Sequence, residues 1–224
     1  MFKKINFLIF IIIILFSCKS KYQGLSEEIL KKELLKAIET NKIKDVRNII
    51  KHGVKINFGD KINNNPLAKA LFRKRWKIAD LLVENGADLN YKIETTCVAP
   101  IMFIALGISR YDDIVKYLIL KGANVNEKTS KGANALLYAA CQNKVDIAKL
   151  LIEKNADINI KTPDNNRTPL TMATLNGNKE IVALLIDNGV NINQVGFQNR
   201  TALEIARRKK NKDIIAMLEK ASIK

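Results

Sequence analysis

A single histidine, His52, is all the imidazole that these 224 residues contain, so no pair of histidines exists to hold a metal ion or to share acid–base work. His52 also precedes Gly53 at an expected helix C-terminus, a position that suits the residue type. A nucleophile needs an adjacent base and a third group to orient that base, and no such constellation is present. Neither a phosphate-cradling glycine loop nor a nucleophile elbow occurs. The nearest approach to a carboxylate pair, Asp112-Asp113, falls at the start of an expected helix, where acids favour the dipole. No enzyme activity, cofactor or metal is expected. Acidic residues are also scarce, 22 against 38 lysines and arginines, giving a net charge of +16. That excess points to anionic partners, yet lysine, isoleucine and asparagine all have A/T-rich codons, so genome composition is a competing cause. Long apolar runs are confined to one, from Phe7 to Phe16.

What the chain has in abundance is a repeat. A leucine-like residue followed three positions later by alanine recurs as Leu34/Ala37, Leu67/Ala70, Leu136/Ala139, Leu170/Ala173 and Leu203/Ala206, with a degenerate copy at Ile101/Ile104. The spacings between these anchors are 33, 34, 35, 34 and 33 residues. An independent marker keeps the same interval: Gly53, Gly86, Gly122, Asn155 and Gly189, each followed four residues later by Asn57, Asn90, Asn126, Asn159 and Asn193. A period of this size signifies stacked supersecondary units, none able to bury its apolar face alone. In the fourth copy, Asn134 to Ala140 opens a short helix whose alanines allow close approach. Asn143-Lys144 breaks it, and Val145 to Ile152 carries apolar residues at helical spacing, predicting a second amphipathic helix. That helix stops at Asn155, a residue type that tolerates the left-handed cap conformation where other copies place glycine. Pro66, Pro100 and Pro169 suit first helical positions.

Thr168 to Ala173, then Asn176 to Val182, then Leu184 to Gly189 together resemble an ankyrin repeat, as do Ile78 to Asn90 and Lys121 to Asn126. The resemblance covers residues 29–224 as six repeats. It implies an all-α repeat solenoid of stacked helix-turn-helix units with β-turn or hairpin tips. The histidine that braces the first turn in the family is absent; Thr171 and Leu137 stand there. The third copy carries two extra residues, predicting a longer first helix or inter-helix loop around Leu106 to Ser109. Asp45 and Asn48 in the first copy, and Arg207 to Lys212 in the last, give the polar outer faces expected of caps, so the solenoid is expected to be complete. Cys97 and Cys141 fall on non-equivalent faces one repeat apart, predicting two isolated thiols even where export permits a disulfide. The sequons Asn166-Arg167-Thr168 and Asn199-Arg200-Thr201 are the repeat's own turns.

The first residues are of another kind. Lys3 and Lys4 precede an apolar run too short for a comfortable membrane span, the layout of a signal peptide. Leu15-Phe16-Ser17-Cys18 resembles a bacterial lipobox, with Phe16 a departure from it. The resemblance implies cleavage after Ser17 and lipid on Cys18, hence a leader at 1–17, a lipid-anchored tether at 18–28 and the repeat domain at 29–224. Together with the Lys/Ile/Asn bias, the chain resembles a spirochaete-like ankyrin-repeat lipoprotein of the cell envelope, periplasmic or surface-exposed. In the alternative, the N-terminal helix stays uncleaved and tethers a cytoplasmic-facing regulator.

The family resemblance implies a protein partner bound on a concave face of turn tips and first helices. Carried onto this chain, that face offers Tyr91, Lys128, Tyr138, Lys161, Arg167, Phe197 and Arg200. Tyr91 and Phe197 are large and apolar for exposed turns, the type enriched in binding hot spots, unless each folds back onto its neighbour. Lys128, Lys161, Arg167 and Arg200 form a basic rim that favours an acidic partner. A second reading makes the lysines active in a surface adhesin or polyanion binder. The densest cationic run, Phe72 to Lys77, reads in register as a solvated turn instead, which leaves nucleic acid a poor candidate partner.

Overall fold

The computed structural model describes residues 21–93 and 99–223; the expected leader, Cys18 and Cys97 lie outside the described residues. Among the described residues, the helices come as six consecutive pairs, one for each copy of the repeat. They are α1 (Glu27–Glu39) with α2 (Ile43–Lys51), α3 (Pro66–Phe72) with α4 (Trp76–Glu84), α5 (Ile101–Leu106) with α6 (Asp112–Leu120), α7 (Ala135–Cys141) with α8 (Val145–Glu153), α9 (Pro169–Asn176) with α10 (Lys179–Asp187), and α11 (Ala202–Arg208) with α12 (Lys212–Ser222). The chain divides into two compact units, one ending at Asp88 and one beginning at Leu89.

The first unit holds α1 to α4, with α1 against α3 and α2 against α4. Leu34, Ile38, Leu71, Ile78 and Leu82 are sealed within it. Residues 21–24 form turns, and Tyr22 among them is buried, its ring edge-on to His52 with centroids 6.2 Å apart. Helix α1 begins at Glu27, inside the span expected as tether. The second unit holds α5 to α12, its core made by Ile101, Leu106, Ile114, Leu118, Leu136, Leu151, Leu185 and Ile214. Each fully buried leucine or isoleucine contributes roughly 1.5–3 kcal/mol. The sixth anchor, Leu203, is only half-buried because its repeat is the last described in the stack; Ala202 and Ile205 seal that helix instead.

The turn chemistry follows the sequence closely. Between the helices of a pair, a residue one or two places past the first helix takes the left-handed conformation at Asn41, Lys74, Asn143, Gly177 and Lys210, with φ of 56°, 55°, 56°, 75° and 56°. The two extra residues of the third copy form a 3-10 turn, Ser109–Tyr111, while α5 itself stays short. Pro66 and Pro169 open their helices, whereas Pro100 stands one place earlier, as the N-cap of α5. The residues before it are drawn into a two-residue antiparallel pairing of β1 (Lys92–Ile93) with β2 (Ala99–Pro100).

The asparagines that mark the period tie each repeat to the next. Asn57 donates from Nδ2 to the Gly86 carbonyl (2.9 Å) and accepts the Asp88 N–H (2.8 Å). Asn126 repeats the arrangement on the Asn155 carbonyl (3.0 Å) and the Asp157 N–H (2.7 Å). Asn90 and Asn159 accept the N–H groups of Asn124 and Asn191, each at 2.8 Å.

Candidate functional site

Two residues after each leucine-like anchor, one position recurs on every first helix. In the second unit it holds Phe103, Tyr138, Met172 and Ile205. Tyr138 stays half-exposed and meets Phe103 edge-on at 5.6 Å, a favoured geometry for aromatic pairs. Ala133, Leu137, Ile160 and Met172 form a buried cluster, and Tyr138, Cys141, Leu175 and Phe197 pack onto it while still reaching solvent. A pocket of about 380 Å3 opens over this cluster, lined among others by Leu137, Tyr138, Cys141, Lys131, Asp164 and Arg167.

Buried caps hold the cluster in place. The Asn134 side chain accepts the Leu137 N–H (2.9 Å) and donates to the Asp157 carbonyl (3.0 Å), fixing the start of α7 against the next tip. Asn178 and Asn176 donate to the Ala140 and Cys141 carbonyls (2.7 and 2.9 Å), satisfying the end of α7. In α9 the missing family histidine is replaced by a threonine pair: Thr168 accepts the Thr171 N–H, and Thr171 accepts the Thr168 N–H. The tip carrying Arg167 is a tight turn around buried Thr162, whose N–H donates to the Arg167 carbonyl (3.0 Å) and whose hydroxyl accepts the Arg167 N–H (3.0 Å).

Phe197 folds back. Its ring packs on the cluster with the Arg167 guanidinium above it, 5.7 Å from the centroid. Gly196 makes the approach possible, since a Cβ there would stand 2.5 Å from Thr171 Cγ2. Val195, its neighbour, is 45% exposed and takes the outward position on that tip. The structure therefore joins Tyr138, Arg167 and Phe197 in one place. Arg200 adjoins them: a second pocket, about 310 Å3, is lined by Leu175, Phe197, Arg200, Ile205, Arg208 and Lys209 together with Gln198. Arg200 also donates to Gln198 Oε1 (3.1 Å). Tyr91 is half-buried on another tip, and Lys128 and Lys161 are exposed, but none of these three lines either pocket. On Tyr91's tip the neighbouring Lys92 pairs with Glu127 (3.0 Å).

Cys141, Leu137, Met172 and Leu175 belong to the site without having been singled out. Stacking the repeats in register on the position of Tyr138 would have found Met172, because that position reads as an apolar column from Phe103 onward. Burial pushes the Cys141 thiol's pKa up, with Arg167 opposing, so it behaves as a small apolar group in the floor.

Of the densest cationic run, Arg73 has an acidic partner, shared with Lys69 just before the run. In the first unit, Lys69 and Arg73 pair with Glu39 at 2.6 and 2.8 Å. The Lys69 hydrogen bond, helped by the charges of Arg73 and Arg75, holds the Glu39 carboxyl below its usual range. Among the described residues no group of three or more histidines, cysteines and acids is placed to hold a metal ion, and no helix is long and apolar enough to cross a membrane.

Residues 101–152 and 136–186 match the family model described as ankyrin repeats (many copies). Among solved structures, an ankyrin repeat domain from Acinetobacter baumannii AYE is similar at a TM-score of 0.71 and 25% sequence identity, covering 84% of this chain and 97% of that one. No curated protein matches the chain.

Proposed function

We propose that this chain, whose fold is that of stacked ankyrin repeats, is a membrane-anchored protein-interaction module of a bacterial envelope. The observation that carries the interaction reading is the partly exposed layer of Tyr138, Cys141, Leu175 and Phe197 over buried Leu137 and Met172, with the Arg167 guanidinium beside the Phe197 ring. An aromatic and aliphatic patch with an arginine at its edge is the composition of a binding hot spot. The module binds and does not catalyse. Anchoring rests on the sequence alone: Lys3 and Lys4, the apolar run from Phe7 to Phe16, and Cys18 after Ser17. Acyl chains add about 0.8 kcal/mol per buried methylene, and two or more make attachment stable.

A photo-crosslinking residue placed at position 138 in the full chain, in its native cells, tests the interaction reading. Lys149, exposed on helix α8, is the control position. A discrete protein adduct from position 138, missing from position 149, supports the assignment; equal labelling at both positions sinks it. For the anchor, Cys18→Ala is expected to raise the apparent mass by retaining the leader and to release no lipid on hydrolysis. Unchanged mass and unchanged membrane attachment would favour the uncleaved tether. Protease shaving of intact against permeabilised cells then distinguishes a surface location from a periplasmic one.

A further inference from the structure

We infer that the pocket over Leu137, Tyr138 and Cys141 receives one aromatic or branched aliphatic side chain from an extended acidic segment of a partner protein, whose carboxylates pair with Lys131 and Arg167 beside the pocket and with Arg200 and Arg208 at its neighbour. This assignment rests on the interaction reading above and narrows it to a class of ligand. The volume of about 380 Å3 lies at the small end of binding cavities, of a size for a side chain and not for a packed element of structure. Its floor is apolar. Its charged lining is Lys131 and Arg167 against Asp164, a positive balance.

The adjoining pocket sharpens the case. Arg200, Arg208 and Lys209 line it with no acid among them. The group that accepts from both arginines is Gln198 Oε1, at 3.1 and 3.4 Å, which is neutral, and the acid that feels Arg200, Glu204, stands outside the pocket lining. Phe197 belongs to the wall of this second pocket and packs on the floor of the first, so a single strand of chain can address both. Carboxylates suit planar guanidinium donors, which bind them in a bidentate fashion. A nucleic acid would use the same cations but needs open aromatic faces for its bases, and the Phe197 ring is already covered by Arg167.

The test is a selection of random twelve-residue peptides displayed on phage against the full chain, with the enriched peptides resynthesised and titrated. The expected winners carry one Phe, Leu or Ile among several Asp and Glu. Arg167→Glu and Tyr138→Ala should each weaken their binding about tenfold or more, while Lys149→Glu stays within about twofold. Bound peptide should also slow alkylation of Cys141, read from the mass of the fragment that carries it; this readout needs no variant to fold. Enriched peptides that are neutral or basic, or that bind both variants undiminished and leave Cys141 unprotected, overturn the pocket while leaving the interaction function standing. A chain that enriches no peptide but retains a single-stranded oligonucleotide or heparin overturns both.

Discussion

One register position separates the two units. Two residues after the leucine-like anchor, the first unit places Lys36 and Lys69, while the second places Phe103, Tyr138, Met172 and Ile205. The helix pairs and the asparagine ties recur in both, as do the left-handed turns outside the third copy. In the first unit Lys36 is exposed, and Lys69 is nearly covered and bound to Glu39. In the second the position builds an apolar cluster that still meets solvent. On the reading proposed above, the shared core and the recognition surface occupy different register positions. The two sets can be altered one at a time.

Breaking the shared core is expected to have the largest effect and to treat both units alike. Leu34→Ala and Leu136→Ala each remove a fully buried side chain and should each cost about 3 kcal/mol in urea denaturation followed by circular dichroism. A much smaller loss at either position would show that its unit is packed less tightly than the other. The buried caps come next. Asn65 and Asn134 each accept a backbone N–H and donate to a carbonyl, so replacement by alanine should cost about 2 kcal/mol in each unit.

A carboxylate in each unit then separates the two kinds of support. Glu39 is held below its usual range by Lys69 and the arginines beside it, and Glu204 by the N–H and hydroxyl of Thr201. A folded-state pKa lower than the unfolded one contributes stability above the ordinary glutamate value near ~4.3, and that stability is lost as pH falls through the folded value. Glu39→Gln and Glu204→Gln should each flatten the decline of the urea midpoint between about pH 5 and pH 3. Added sodium chloride should erase the difference between wild type and Glu39→Gln, whose partners are charged, and spare that of Glu204→Gln, whose support is a local capping box. Equal salt sensitivity would count against the distinction. The smallest expected effect is a gain. Lys210 and Asn41 both sit at positive φ, so glycine should stabilise at each, by about 0.5 kcal/mol at Lys210 and less at Asn41, because asparagine already tolerates that conformation.

The repeat register, the helix pairs, the glycine caps and the irregular third copy were all legible, because each depends on residues close in sequence. Pro100 was misplaced by one position, since its strand pairing with Lys92 is made at a distance. The Thr201-Ala202-Leu203-Glu204 capping box was there to be read and passed unnoticed. Partners about 30 residues apart were harder. Glu39 and Lys69 carry no local signal of their pairing, and Phe197 turns inward because Gly196 and Thr171, from different repeats, meet there. Of the seven expected partner-binding residues, Tyr138, Arg167, Phe197 and Arg200 converge, while Tyr91 and Lys128 stand on other tips and Lys161, on the tip of Arg167, lines neither pocket, a distinction that one-dimensional register could not make.

The asparagine ties have a consequence for heredity. Asn57 and Asn126 each grip the carbonyl and N–H groups of the following repeat and touch none of its side chains to do so. A duplicated or exchanged copy of the repeat therefore arrives already compatible with its neighbours, whatever its tip residues are. Recombination between copies can enlarge or shorten such an array in frame, and the tips are left to diverge under selection by whatever they meet.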